Sequence, residues 1–257
     1  MVFNLGLIGT PIKHSLSPKI HQYFAKQFNH NIRYELYEIN NLEKFLQKFK
    51  QYGHGLNITT PFKKEVLNFI PNNLHNANVI TIKPKLQAFC VDGKGFINAC
   101  KQLNWNLHNK NILIIGAGNT AHSLISELKN NNNLIIAARS FDKANKNLLK
   151  HKKEITIKHI DNINQQFDII VQASSAGLNN TLPNINPYWI KPSSFVMDLN
   201  YGKNAQQFLS IIKKFHPKQI IDGRFMLIEQ AALSYFLWTG STPCTSDFYK
   251  AENSFFS

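Results

Sequence analysis

The stretch Ile112 to Ala121 restricts the possible folds of this 257-residue chain more than any other. An apolar run, Ile112-Leu-Ile-Ile115, breaks into Gly116-Ala117-Gly118 and resumes in helix-compatible fashion as Asn119-Thr-Ala121. A buried strand that turns on glycines into a helix lets backbone amides approach a pyrophosphate at the helix N-terminus, which makes this a dinucleotide site. A second apolar run, Leu134-Ile-Ile-Ala-Ala138, ends at Arg139. An acidic side chain usually meets a free ribose 2′-hydroxyl at that position, and a guanidinium suits a 2′-phosphate instead, so NADP is expected over NAD. Ala121 stands where a third glycine often sits. The same glycines would also serve a tight turn without ligand, and Arg139 alone would serve as a solvated surface charge.

Hydrophobic residues make up 43% of the chain, enough for one large core or two modest ones. No apolar run approaches the roughly 20 residues that span a bilayer, and Met1-Val-Phe-Asn-Leu-Gly-Leu-Ile-Gly9 lacks a basic stretch before its apolar one. A cytoplasmic protein with no membrane partner is expected. Cys90, Cys100 and Cys244 have neither the number nor the spacing of a metal site or disulfide framework, so no metal is expected. The net charge of +14 comes from lysines scattered along the chain rather than from a basic block. That pattern argues against a nucleic-acid partner and suits small anionic ligands.

The period of the apolar residues gives an α/β chain. Phe3–Gly9 reads as a strand, Ser17-Pro18 as a capped helix start, Tyr34–Ile39 as a strand, Leu42–Tyr52 as a helix and Gly55–Thr59 as a strand ending at Pro61. A helix is expected after Pro61. Val79–Ile82 and Leu86–Phe89 form short strands around Lys83-Pro84-Lys85, and Gly93–Leu103 forms a helix leading to the second domain. Beyond it, strands at Ile112–Ile115, Leu134–Ala138, Ile155–Ile160, Asp168–Gln172 and Phe195–Leu199 alternate with helices, giving a parallel doubly wound sheet, with Ile220-Ile221 as a last strand. The helix Met226–Thr239 packs back on the first half. The expected division is a substrate-binding catalytic domain, 1–102 completed by 226–257, and a Rossmann-type NADP-binding domain, 103–225.

Two hydroxyls, Ser15 and Ser17, stand just before a helix, where its N-terminal amides help them hold a carboxylate; a capping Ser17 and a turn at Ser15 would use the same residues. Lys63 follows the Pro that ends a buried strand. An ammonium at the mouth of an α/β crevice polarises a carbonyl oxygen and protonates it as hydride reaches the carbon. Asp92, at a strand-to-helix junction, is the candidate that holds that ammonium in place. Taken singly, Lys63 would serve as a surface lysine and Asp92 as a helix cap.

The whole set resembles the shikimate dehydrogenase family over nearly the full chain. The resemblance runs from Gly9-Thr-Pro-Ile-Lys-His-Ser-Leu-Ser-Pro18 through Asn57-Ile-Thr-Thr-Pro-Phe-Lys63, Asp92-Gly-Lys-Gly-Phe96, Gly116-Ala-Gly118 and Ala138-Arg-Ser140 to Gln172-Ala-Ser-Ser-Ala-Gly-Leu178, Asp198-Leu-Asn-Tyr201 and Asp222-Gly-Arg-Phe-Met-Leu-Ile-Glu-Gln-Ala231. It implies NADP-dependent reduction of 3-dehydroshikimate to shikimate in aromatic amino-acid biosynthesis, by a protein that is a monomer or homodimer. It implies carboxylate-binding serines at Ser15 and Ser17, further substrate contacts at Thr59, Tyr201 and Gln230, and a catalytic pair of Lys63 and Asp92. For NADP it implies a glycine loop at Gly116, Ala117, Gly118, Asn119 and Ala121, and a 2′-phosphate clamp of Arg139, Ser140 and Lys143. Ala173, Ser174, Gly223 and Met226 fall at the nicotinamide end. Substrate held between two domains implies closure on binding, because hydride transfer needs water excluded.

Three departures from the family pattern stand out. Where the family reads Ala-Val-Asn-Thr the chain has Asn78-Val79-Ile80-Thr81, so Ile80 replaces an Asn that bonds a substrate hydroxyl; a shifted, less natural register would bring Asn78 to the pocket instead. Cys90-Val91-Asp92 replaces Asn-Thr-Asp and removes a substrate-facing hydroxyl, and Ala138 replaces the Asn usual before the Arg. Each lost hydrogen bond to a bound hydroxyl costs about 0.5–1.5 kcal/mol. Quinate or a related acid as substrate, or a catalytically silent NADP-binding protein, are the alternatives these departures raise.

Overall fold

The computed structural model describes residues 2–179 and 181–250. The chain divides into two compact units, the residues up to Gly95 together with those from Leu227, and Phe96–Met226. Of the stretch expected to complete the first domain, residues 251–257 lie outside the described residues.

The first unit opens with β1 (Val2–Ile8), α1 (Ser17–Gln27), β2 (Asn31–Tyr37), α2 (Leu42–Tyr52) and β3 (Gly55–Ile58). Pro18 sits in the first turn of α1, where a missing N–H costs nothing, but Leu16 holds the cap position and Ser17 is already helical, not the cap expected. Asn41 caps α2 by accepting from the Lys44 N–H at 2.8 Å, and the helix buries Leu42, Leu46 and Phe49 on one face. After Pro61, where a helix was expected, the chain forms a 3₁₀ turn, Glu65–Phe69, and no α-helix. Pro71 and the asparagines that follow forbid continuation, because the residue before a proline is driven out of the helical region. The short strands β4 (Val79–Thr81) and β5 (Gln87–Phe89) complete a sheet of order β2-β1-β3-β4-β5, with β1 parallel to β2 and β3, and β4 antiparallel to β3 and β5. Ile8, Leu56, Ile58 and Ile80 pack against α2 on one face of this sheet, and Leu5, Leu7 and Val79 line the other.

The helix α3 (Asp92–Gln102) carries the chain into the second unit, which contains β6 (Lys110–Ile115), α4 (Asn119–Leu128), β7 (Asn132–Ala138), α5 (Phe141–Asn147), β8 (Thr156–His159), β9 (Phe167–Gln172), β10 (Ile190–Asp198), α6 (Lys203–Lys213) and β11 (Gln219–Asp222). All six strands are parallel, in the order β8-β7-β6-β9-β10-β11. Ile112 and Ile114 enter one core, and Leu113 and Ile115 the other, so the run that announced β6 is buried on both faces as a parallel sheet requires. The strand order reverses direction between β6 and β9, and ligands of such sheets bind outside the carboxyl ends at that point. The Rossmann-type reading of the sequence holds.

The long helix α7 (Arg224–Thr239) returns to the first unit from Leu227 onward, followed by α8 (Ser246–Lys250). Trp238 joins the core of the first sheet and its indole N–H donates to the Ile80 carbonyl at 2.9 Å. No described helix is long and apolar enough to cross a membrane.

Between α1, β2 and α7 lies a nest of aromatic rings with His21 at its centre. The imidazole is fully buried, stacks on Tyr34 at 4.5 Å and touches Tyr235 and Trp238. Asn57 lies close enough to hold its pKa up a little, yet neither ring nitrogen makes a well-formed hydrogen bond. Burial drives the pKa of His21 down to about 3, so the folded protein keeps this ring neutral where the unfolded chain protonates it near 6.5. Stability from this group is therefore complete above pH 6.5 and is lost as the pH falls toward 3, at about 1.4 kcal/mol per pH unit. Between pH 6.5 and 5 the protein loses about 2 kcal/mol that His21→Phe retains, as read by urea denaturation at both pH values; equal losses would contradict a neutral buried ring.

Candidate active site

Lys63 follows the turn that Pro61 makes at the end of β3, and its carbonyl accepts from the Ala77 N–H at 2.8 Å, which pins the backbone beneath it. Its ammonium donates to Asp92 Oδ2 at 2.5 Å, with the lysine side chain 13% exposed and the aspartate 3%. Asp92 is the first residue of α3, where the helix dipole favours an anion. Asn78 Nδ2 donates to the other carboxylate oxygen at 2.6 Å, and Asn78 Oδ1 accepts from the Val91 N–H at 2.7 Å. The same amide reaches Gln230 Oε1 at 3.3 Å. Gly95 is what lets α7 come so near, because a Cβ there would stand 2.9–3.1 Å from Gln230. Lys63, Asp92, Asn78 and Gln230 thus form one connected polar group in the first unit.

The residue on Asp92 is Asn78, and Ile80 is not in this group, contrary to the register expected from the sequence. Ile80 is fully buried in the core under α2. Asn78 and Ile80 lie two residues apart and share a strand face, so alternation cannot separate them. Their position along the hairpin does: Ile80 pairs with Ala88, whereas the Asn78 N–H bonds Phe89 O one step from the Asp92 turn. Val91 has its side chain in the core with Leu5, Tyr34 and Trp238.

Ser15 Oγ accepts from the Ser17 N–H at 3.2 Å and donates to Ser17 Oγ at 3.1 Å, so the two hydroxyls are neighbours at the start of α1. Ser17 is buried against the Tyr34 hydroxyl, and Tyr34 donates to Asn57 Oδ1 at 2.8 Å; burial raises the Tyr34 pKa well above the phenol range. Asn57 Nδ2 donates to Ser234 Oγ at 2.9 Å, and Ser234 to the Gln230 carbonyl at 2.9 Å. A chain of polar contacts therefore links the serine pair to the turn of α7 that carries Gln230. Asn57 and Tyr34 carried no assigned role from sequence; the signal was Asn57 standing two residues before Thr59 on one strand face.

In the second unit, Gly116 has φ +109°, and a Cβ there would stand 2.9 Å from the Ser174 backbone. Gly118 differs. Its φ is an ordinary −88°, and a Cβ on it would meet nothing within 4 Å, so no protein atom demands glycine at the start of α4. Open space before helical amides is what a pyrophosphate needs, and NADP fits this cradle. Ala121 is fully buried in the core and serves helix-to-sheet packing. Arg139, Ser140 and Lys143 are exposed where β7 passes into α5, beside the glycine turn, and Asn147 Nδ2 at the end of α5 donates to the Ala117 carbonyl at 3.3 Å. Ala173 N–H bonds Ile115 O, and Ser174 N–H bonds Gln172 Oε1, which sets both beside the end of β6. Tyr201 lies half-exposed in the turn after β10, Gly223 follows β11, and Met226 is buried.

Three family models match the chain: a shikimate dehydrogenase substrate-binding domain over residues 7–81, a shikimate/quinate 5-dehydrogenase over 98–187, and a shikimate 5′-dehydrogenase C-terminal domain over 226–251. A shikimate dehydrogenase (NADP(+)) of Histophilus somni is 35% identical, with 91% of this chain and 93% of that protein covered. Among solved structures, the Ael1 enzyme of Pseudomonas putida superposes with a TM-score of 0.87 at 28% identity over 96% of this chain and 97% of that one. A shikimate dehydrogenase crystallised in complex with NADP+ does so with a TM-score of 0.82 at 29% identity over 95% and 92%.

The assignment of Asn78 over Ile80 has an energetic consequence. Asn78→Leu leaves Asp92 Oδ1 and the Val91 N–H unpaired and costs about 3 kcal/mol of stability, whereas Ile80→Val costs about 1 kcal/mol as an ordinary core truncation. Urea denaturation of the two variants measures both, and a smaller loss at Asn78 than at Ile80 would contradict the arrangement.

Proposed function

Because the chain belongs to the shikimate dehydrogenase family, we propose that it reduces 3-dehydroshikimate to shikimate reversibly with NADPH, using Lys63 and Asp92 as the catalytic pair. The observation that carries this reading is the buried Lys63–Asp92 contact, with Asn78 on the second carboxylate oxygen. Substrate binding is assigned to residues of the first unit together with Tyr201, and NADP to the second unit. When bound, NADPH supplies the hydride that reaches the substrate carbonyl carbon. The Lys63 ammonium polarises the carbonyl oxygen, meets the negative charge that grows on it and delivers the proton that completes the alcohol. Asp92 stays anionic, anchored by Asn78 and the α3 N-terminus, and keeps the ammonium aimed; in the oxidative direction the neutral amine of Lys63 takes the hydroxyl proton.

Ser15 and Ser17 are assigned to the substrate carboxylate, with Thr59, Tyr201 and Gln230 as further contacts. Asn78 joins them, in the role the family resemblance gives to an Asn on a substrate hydroxyl. With Ile80 in the core, one of the departures that favoured quinate disappears, and shikimate is the preferred acid. For NADP the assigned residues are Gly116, Ala117, Gly118 and Asn119 at the pyrophosphate, Arg139, Ser140 and Lys143 at the 2′-phosphate, and Ala173, Ser174, Gly223 and Met226 at the nicotinamide end. No disulfide joins Cys90, Cys100 and Cys244, which supports a cytoplasmic location, as a monomer or homodimer.

Lys63→Ala lowers turnover about 10²- to 10⁴-fold while leaving NADP+ affinity unchanged, and turnover within threefold of the parent protein would remove Lys63 from the mechanism. Arg139→Ala reduces the preference for NADP+ over NAD+ by about 10- to 100-fold in kcat/KM, the worth of charge-assisted contacts to a phosphate. An unaltered ratio would overturn the clamp.

A further inference from the structure

One residue of the second unit ties together the loops that follow β9, β10 and β11, through its side chain and its main chain. Asn200 donates its backbone N–H and its Nδ2 to Asp198 Oδ1, each at 2.9 Å, and its Nδ2 also reaches the Ser174 carbonyl at 3.5 Å. Its own carbonyl accepts from the Gly223 N–H at 2.9 Å. The approach there is so close that a Cβ on Gly223 would stand 2.2 Å from Leu199 O. On the far side of the turn, Asp222 Oδ2 accepts from the Gly202 N–H at 3.2 Å and Oδ1 from the Arg224 N–H and Nε at 3.1 and 2.9 Å.

Asp198 is an expensive residue to keep in this place. It is fully buried, its Oδ2 has no hydrogen-bond partner among the described residues, and burial together with the neighbouring Asp222 pushes its carboxyl up to about 6. Among the described residues its hydrogen bonds come from Asn200 alone. A buried acid that costs stability and grips one side chain is explained if that grip places something else.

We propose that Asn200, held by Asp198, is a positioning residue for the nicotinamide end of the cofactor site, fixing Ser174 and Gly223 to one another. The inference rests on the assignment of Ala173, Ser174, Gly223 and Met226 to the nicotinamide. Ser174 in turn backs the glycine turn, because Gly116 leaves no room for a Cβ against its backbone. Loss of the Asn200 tether loosens the cradle of the ring and leaves the adenine and 2′-phosphate contacts, on the loops after β6 and β7, as they were.

The test compares two ligands on the purified full-length protein by calorimetric titration: NADP+, and 2′-phospho-ADP-ribose, which is the same molecule without nicotinamide. Asn200→Ala weakens NADP+ about 3- to 10-fold and leaves 2′-phospho-ADP-ribose within twofold, and Asp198→Ala, which removes the accepting oxygen, gives the same pattern from the other end of the contact should the first variant not fold. Ser174→Leu, which crowds the ring end directly, separates the two layers of the claim. If Ser174→Leu discriminates between the ligands while Asn200→Ala and Asp198→Ala treat them alike, the positioning role is overturned and the nicotinamide assignment stands. If Ser174→Leu also treats them alike, the assignment falls and the proposal with it.

Discussion

The ion pair between Lys63 and Asp92 is the interaction on which the rest of the first unit depends. Taking an ammonium and a carboxylate out of water costs several kcal/mol per ion, and the cost is recovered only if the geometry is good and the remaining oxygen is hydrogen-bonded. Asn78 meets that second condition, and the start of α3 adds a favourable dipole. Asn78 itself is held by the Val91 N–H and reaches Gln230, which Gly95 admits to close range. Removing either charged partner would strand the other in a nearly dry place. The arrangement is poor economy for stability and good chemistry for a proton donor that must stay charged and aimed.

Much of this could be read from the sequence, and the parts that could not share a physical reason. Lys63 and Asp92 were legible because each stands where a strand gives way to a turn or helix. The β6 glycine turn and the parallel order of the second sheet followed from apolar runs with the right interruptions. Asn78 was the difficult residue. A slip of two along a strand preserves the face, so only the hairpin register, set by the closure between β4 and β5, decides whether Asn78 or Ile80 faces the carboxylate. The helix expected after Pro61 failed for a local reason, since Pro71 and a run of asparagines leave room for little more than one 3₁₀ turn. Ser17 looked like a cap, yet Ser15 accepts its N–H and leaves the Ser17 hydroxyl buried beside Tyr34.

The second unit shows the same division between what pattern reveals and what only coordinates reveal. Gly118 is a glycine that the protein's own atoms do not require, which turns a weak motif into an argument for a ligand. Asn200 had no such signature, since one asparagine in a turn is ordinary in any sequence. Its importance lies in joining three loops whose residues are far apart along the chain, and a linear pattern carries no trace of that.

The most direct measurement of the central claim is the absorbance of reduced nicotinamide when the purified protein is mixed with NADP+ and shikimate, followed by the same mixture with quinate. The account predicts rapid reduction of NADP+ with shikimate and a weaker signal with quinate. No signal with either acid, from protein shown by titration to bind NADP+, would contradict it and leave a silent dinucleotide-binding protein in its place.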